Sequence, residues 1–415
     1  MIVSSAFAGK TYGVYGLART GRSVVDTLVA SGASVLAWDD GAAARAAWTG
    51  ELTDLNTADL TKLDAMIVSP GVPHDAPLFV AATNAGIPVI GDIELFAQAR
   101  AELPAHKVVG ITGTNGKSTT TALVHHILEV AGVPARMGGN IGLPILGQVP
   151  LPAGGVYVLE LSSFQLDLTL TLDCDVAVLL NITPDHLDRH GSLEAYAASK
   201  ARLFAMQSPG HAAVFTSDDA PSAAIATTPV ARDHPGDQRD WPNLQGPHNL
   251  QNAVAASATA RALGIDDATI ARGLATYRGL PHRMETVREL RGVRYVNDSK
   301  ATNPTSTAPA LAAFPHIHWI AGGLAKTDEL DACAPWFGHV RATYLIGDAA
   351  PLFGRLLAAL PTTQAGTLDR AVALAAAAAQ PGEVVLLSPA CASYDQFKDF
   401  EARGAAFRAA VGELA

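Results

Sequence analysis

The chain has 415 residues, which at roughly 150 residues per domain suggests about three domains. Hydrophobic residues make up 49% and charged residues 16%, with a mean hydropathy of +0.20, so a disordered chain is excluded. The formal net charge of −10 (29 Lys and Arg against 39 Asp and Glu) argues against a nucleic-acid partner, though a local basic site stays open.

No apolar run reaches about 18 residues, so no membrane insertion is expected. Cys174, Cys333 and Cys391 lie far apart without a C-x-x-C pair, which speaks against a disulfide framework and a zinc site. Met1 to Ala8 lack the basic start and apolar stretch of a signal peptide. A cytoplasmic location is expected.

Short apolar runs alternate with helical stretches along the whole chain. The predicted strands are Val35–Trp38, Met66–Ser69, Val108–Thr112, Val156–Leu161, Val176–Asn181, Arg294–Asn297, Ile317–Ala321, Tyr344–Gly347 and Val384–Ser388. Most are unbroken rather than alternating, as suits strands covered on both faces of a parallel sheet. The alanine run Ala371 to Ala379 reads as helix. The fold class is therefore α/β. Joints fall near residue 103, ahead of Pro104, and near residue 280, before a hairpin-like stretch.

The first chemistry-bearing turn is Val14-Tyr-Gly16-Leu-Ala-Arg-Thr-Gly21, with Asp39 and Asp40 ending the next strand. A strand, a glycine turn and an acid about 20 residues on can hold a dinucleotide and its ribose hydroxyl. Ala18 replaces the middle glycine, so the pattern suits some nucleotide better than NAD, or a Rossmann-like unit without a ligand.

The strongest motif is Val108-Val-Gly-Ile-Thr-Gly-Thr-Asn-Gly-Lys-Ser-Thr119. A buried strand enters a glycine turn, and Lys117-Ser118-Thr119 opens a helix. Glycines let backbone N–H groups approach phosphates, and the helix N-terminus adds partial positive charge. Lys117 can reach terminal phosphates and Ser118 can bind Mg²⁺. Ile111 departs from the strict phosphate-loop spacing.

Glu160 sits inside an apolar strand, where a carboxylate needs a metal or backbone N–H partners. Asn181, Asp185, His186 and Asp188 cluster past a strand end, where open α/β sheets place ligands. By pattern alone Lys200 reads as a solvent-facing lysine on an amphipathic helix. Asn249 and Asn252 share a helix face; they suit either base recognition or, for Asn249, a helix cap. Arg283, Lys300 and Lys326 lie in Gly- or Ser-rich turns and suit anionic groups.

These motifs resemble the Mur ligases of peptidoglycan synthesis. Gly-Thr-Asn-Gly-Lys-Ser-Thr points to the superfamily, which includes folylpolyglutamate synthases. Leu159-Glu-Leu-Ser-Ser-Phe-Gln-Leu, Asn297-Asp-Ser-Lys-Ala-Thr-Asn and Ser388-Pro-Ala-Cys-Ala-Ser-Tyr-Asp-Gln-Phe-Lys-Asp-Phe look like the glutamate-adding members. The Asp-Asn-Pro-Arg signature of the diaminopimelate- or lysine-adding members is absent. Asp167 stands where relatives often carry Glu.

The resemblance implies three domains: a Rossmann-like UDP-sugar domain (1–103), a central P-loop-type ATPase domain with a mostly parallel sheet (104–279) and a Rossmann-like amino-acid domain (280–415). It implies an ATP-dependent amide ligase that adds glutamate, by family default D-Glu, to UDP-N-acetylmuramoyl-L-alanine through an acyl phosphate. The partners would be that UDP-sugar, glutamate and ATP, with two Mg²⁺ ions and a monomeric chain. ATP would meet Gly113, Thr114, Asn115, Gly116, Lys117, Ser118, Thr119, Asn249, Asn252, Arg283 and Asp298. The UDP-sugar would meet Leu17, Arg19, Thr20, Asp39, Gly71, Asn140 and His186. Lys300, Thr302, Lys326, Ser393 and Phe400 would surround glutamate. Ser118, Glu160, His186 and a carbamylated Lys200 would hold metal. Lys117, His186, Lys200 and Arg283 would serve the chemistry. The rivals are an L-Glu-adding variant, a folylpolyglutamate-synthase-like ligase, an NAD-dependent oxidoreductase and a non-catalytic nucleotide-binding protein. The additional N-terminal Rossmann-like unit argues against the synthase. The second phosphate loop would lack a purpose in the oxidoreductase.

Overall fold

The computed structural model describes all 415 residues. Three sheets follow one another along the chain. The first holds β1 (Thr11–Tyr15), β2 (Ser34–Trp38), β3 (Ala65–Val68) and β4 (Val89–Ile90) in the order β2-β1-β3-β4, all parallel. The second holds β5 (His106–Thr112), β6 (Ala135–Gly139), β7 (Gly155–Glu160), β8 (Val176–Leu179) and β9 (Ala212–Phe215) in the order β6-β7-β5-β8-β9, also all parallel.

The third sheet holds β10 (Glu285–Leu290), β11 (Val293–Asn297), β12 (Ile317–Gly322), β13 (Val340–Ile346), β14 (Thr362–Gly366) and β15 (Val384–Leu387). Its order is β10-β11-β15-β12-β13-β14, and only β10, the hairpin partner of β11, runs antiparallel. Most of the unbroken apolar runs are inner strands, while Val35–Trp38 forms the edge strand β2. Val108, Val109 and Ile111 of β5 and Val158 and Leu159 of β7 are all fully buried. The strands with weaker sequence signals include β4, β6 and β14; all three lie at sheet edges, where burial asks less of the side chains.

The chain forms two compact units: residues 1–235 with 251–273, and residues 236–250 with 274–415. Within the first unit one hydrophobic core runs through both sheets. It includes Phe7, Tyr12, Ile93 and Phe96 together with Val108, Tyr157, Leu166 and Leu203. Glu94, 1% exposed, ties the two sheets further. Its carboxylate accepts from the backbone N–H groups of Leu170 (2.7 Å) and Thr171 (2.8 Å) and from the Thr171 hydroxyl (2.7 Å). A buried carboxylate is tolerated when its lone pairs are filled this way.

Candidate active site

The turn after β5 is shaped by two glycines with positive φ, Gly113 (+150°) and Gly116 (+87°). A Cβ on Gly116 would lie 2.3 Å from Asn252 Oδ1, so no other residue fits there without moving that buried amide. The helix Lys117–Val130 starts directly after the turn. Lys117 Nζ folds back and donates to the carbonyls of Gly113 (2.9 Å) and Thr114 (2.7 Å). Ser118 is buried at the first turn of the helix.

Lys200 is not the solvent-facing lysine that its pattern suggests. It is 1% exposed, on the helix Leu193–Ala205. The buried face of that helix carries Tyr196, Ser199, Lys200 and Leu203, so the lysine occupies a core position in the i, i+3, i+4, i+7 stripe. Its Nζ donates to Gly113 O at 2.9 Å and sits 4.4 Å from the Tyr196 ring centroid. Burial, and then the nearby Lys117 charge, push its pKa well below that of an ordinary lysine. Two lysine side chains thus share one backbone carbonyl at the mouth of the turn.

Glu160 closes β7 and is 3% exposed. Asn140 braces it twice: its backbone N–H donates to Glu160 O (2.8 Å) and its Nδ2 to Oε1 (3.0 Å). Oε2 is buried and accepts no hydrogen bond. His186 has a left-handed backbone (φ 51°) and a half-exposed ring. Its Nε2 lies 3.5 Å from Asp185 Oδ2, and its ring is 4.8 Å from Phe164.

Of the polar residues past β8, His186 faces Asp185, and Asn181 turns to the loop after β5. The Asn181 side chain lies against Asn115 there. Asn252 Oδ1 accepts from the Thr120 hydroxyl (3.2 Å).

The first glycine turn is fixed by different means. Asp39 accepts from the backbone N–H groups of Leu17 (2.7 Å) and Gly41 (2.8 Å), so its carboxylate first of all shapes the turn. Asp40 accepts from the Trp38 indole N–H (3.0 Å) and from the Tyr15 hydroxyl. Arg45 stacks on Trp38 at 4.8 Å and donates to the carbonyls of Asp39 and Asp40, both at 2.7 Å. None of Tyr15, Trp38 and Arg45 stands out in sequence. Arg19 and Gly71 are exposed and Thr20 is half-buried. The space beside Gly71 is open, so that position does not demand glycine.

In the second unit Asn249 is buried and belongs to the helix body rather than to its cap. That helix begins at Pro247, and Asn249 Nδ2 donates to Gln245 O (3.0 Å). Asp298 accepts from the Ser388 hydroxyl (2.8 Å) and the Met284 N–H (3.2 Å). Burial raises its pKa to about 7, against the opposing pull of those two hydrogen bonds and, less, of Arg283.

The residues expected around glutamate come together in pairs. Lys300 Nζ lies 4.2 Å from the Phe400 ring, and Lys326 Nζ donates to the Thr302 hydroxyl (3.2 Å). Leu324 and Ala392 exchange both backbone bonds at 2.9 Å, which joins the Lys326 loop to the loop of buried Ser393. Arg403, 1% exposed, braces the same region. Its guanidinium donates to Ser299 Oγ and O and to the carbonyls of Cys391 and Ala392, at 2.8–3.2 Å.

Residues 10–91 match the Mur ligase MurD-like N-terminal domain, 111–232 the Mur ligase middle domain, and 282–391 the glutamate ligase domain of Mur ligases. The chain is 60% identical to the UDP-N-acetylmuramoylalanine–D-glutamate ligase of Sphingopyxis alaskensis, covering all of both chains. It belongs to the Mur ligase family.

The ligase of the same name from Zymomonas mobilis is 54% identical, again over the whole of both chains. Among solved structures, this Mur ligase superposes on the UDP-N-acetylmuramate–alanine ligase of Thermotoga maritima with a TM-score of 0.61 at 17% identity. The match covers 97% of this chain and 99% of that one. A second Thermotoga maritima ligase, MurF in complex with ADP, gives 0.60 at 17% identity, covering 100% and 96%. At such identity the likeness is one of fold. No helix is long and apolar enough to cross a membrane.

Proposed function

We propose that this Mur ligase joins D-glutamate to UDP-N-acetylmuramoyl-L-alanine in peptidoglycan precursor synthesis, converting ATP to ADP and phosphate. Full-length identity of 54–60% to ligases of that name supports the reaction. The observation that carries the chemistry is the glycine turn whose Gly113 carbonyl is shared by Lys117 and buried Lys200. We assign the UDP-sugar to residues 1–103, ATP to 104–279 and glutamate to 280–415, in a cytoplasmic monomer.

A carboxylate is a poor electrophile. The alanyl carboxylate oxygen forms a bond to the γ-phosphorus as the bond to the β–γ bridging oxygen breaks, giving an acyl phosphate and ADP. The glutamate amine, having lost a proton, attacks the acyl carbon and phosphate leaves. Such transfer rests on positioning and charge neutralisation. Lys117 leaves its own loop carbonyls to neutralise the phosphates, and Gly113 to Thr119 cradle them. Asn249, Asn252, Arg283 and Asp298 complete the ATP site. Leu17, Arg19, Thr20, Asp39, Gly71, Asn140 and His186 hold the UDP-sugar. Lys300, Thr302, Lys326, Ser393 and Phe400 receive the amino acid.

The open Oε2 of Glu160 fits Mg²⁺, which takes one or two carboxylates and substrate phosphates. Ser118 and Glu160 would hold one ion, and His186 with carbamylated Lys200 a second. Bound Mg²⁺ would supply charge neutralisation between triphosphate and carboxylate. The lowered pKa of Lys200 supports carbamylation, since only a neutral amine adds to CO₂, releasing one proton.

The test is phosphate release with purified protein and a matrix of UDP-sugar acceptors and both glutamate enantiomers. Release is expected only with UDP-N-acetylmuramoyl-L-alanine and D-glutamate together. Equal turnover with L-glutamate, or with a folate acceptor, would overturn the assignment.

A further inference from the structure

The phosphate turn is held from outside by one carboxamide. Asn181, just past β8, accepts from the Asn115 N–H through Oδ1 (2.9 Å) and donates to the Asn115 carbonyl through Nδ2 (3.2 Å). Its backbone carbonyl also accepts from the Thr114 N–H (2.8 Å). Asn181 therefore grips two consecutive residues of the turn by three bonds, as a neighbouring strand would.

Gln251 fixes Asn181 in turn. Its Nε2 donates to the carbonyls of Leu180 (3.1 Å) and Thr216 (2.9 Å), while Oε1 accepts from Asn181 Nδ2 (3.4 Å). Both amide orientations are determined by this network. Flipping Asn181 would set N–H against N–H and oxygen against oxygen at Asn115, and flipping Gln251 would face its oxygen to two carbonyls. Beyond Asn115 the turn is backed by Thr114, whose hydroxyl accepts from the Thr183 N–H (3.0 Å) and lies 3.2 Å from the Tyr196 hydroxyl.

The Asn115 N–H is thus already engaged by Asn181. The direction of the next backbone amides in the turn, from Gly116 onward, depends on where Asn115 is held. A glycine turn has many conformations available when unbound, and fixing one in advance lowers the cost of binding. We propose that Asn181 is a positioning residue for ATP, locked by Gln251: it sets the phosphate turn in its nucleotide-ready shape without touching the nucleotide.

This rests on the reading that the turn binds ATP, and one experiment separates the two. Full-length wild type and Asn181→Asp are titrated by calorimetry with an ATP analogue that cannot be hydrolysed, and the three substrate KM values are measured. Aspartate keeps the acceptor but turns a second oxygen toward the Asn115 carbonyl and Gln251 Oε1. At least tenfold weaker nucleotide binding and a matching rise in KM for ATP are expected, with the KM for the UDP-sugar within twofold of wild type. Wild type that fails to bind the analogue removes the ATP reading, and this inference with it. Wild type that binds, beside a variant that binds as well or merely loses active fraction, overturns the role of Asn181 alone. Should Asn181→Asp not fold, Gln251→Glu is used, with at least threefold weaker binding expected and unchanged binding overturning the inference.

Discussion

Two strand–turn–helix units lie in the first compact unit, each at the central strands of a parallel sheet. Both depend on glycine. A Cβ on Gly21 would lie 1.8 Å from Gly16 O, as one on Gly116 would strike Asn252. The first turn is held by a carboxylate, Asp39, on two backbone N–H groups, and its helix, Arg19–Ala30, has Ala18 at the N-cap position and no side-chain cap. The second is held by a neutral carboxamide and carries two lysines on one carbonyl. An acid next to the first turn is compatible with holding a ligand in place. Moving a phosphoryl group calls for cations at the site where charge shifts. Under the proposed roles, the difference in charge, more than in backbone shape, separates a turn that binds from one that reacts.

The sharpest way to break this contrast is Lys117→Ala. Steady-state kinetics should show kcat/KM falling by roughly 10³-fold, about 4 kcal/mol of transition-state stabilisation. A loss below tenfold would mean the second turn works without its cation. Next, Lys200→Ala should lose activity and recover part of it when acetate is added to the assay, the small carboxylate standing in for the carbamate. Full activity in that variant without acetate would end the carbamate proposal. The smallest effect belongs to the first turn. Asp39→Ala removes two hydrogen bonds that shape the loop but no reacting group. Its KM for the UDP-sugar should rise roughly fivefold, about 1 kcal/mol, at unchanged KM for ATP. A large fall in kcat instead would erase the distinction between the two turns.

Most inner strands were legible because burial on both faces writes itself as continuous apolar runs; β1, with the sequence Thr-Tyr-Gly-Val-Tyr, was not among them. Val108–Thr112 and Val384–Ser388 differ from β5 and β15 only at their ends. Edge strands such as β14, with the sequence Thr-Thr-Gln-Ala-Gly, lack that signature. The turn after β5 was legible because phosphate binding, its proposed role, requires glycines and a lysine at close spacing. Lys200 was not, since a lysine in a helix reads as solvated unless the tertiary partners that desolvate it are known. Tyr196, Ser199 and Leu203 at helical spacing were the available hint. Asn181 and Gln251 are 70 residues apart, and nothing local joins them. The Tyr15, Trp38 and Arg45 arrangement around Asp40 was hidden for the same reason.

Glu94 and the shared core bear on how far the molecule is modular. Cutting the chain between the first and second sheets would strip a fully desolvated carboxylate of the Leu170 and Thr171 donors and open Phe96 and Tyr157 to water. The portion that carries the first sheet is therefore not a detachable part. Grafting it onto another protein would have to carry the matching wall of the second sheet along, so under the proposed assignment acceptor preference and phosphate handling are inherited together.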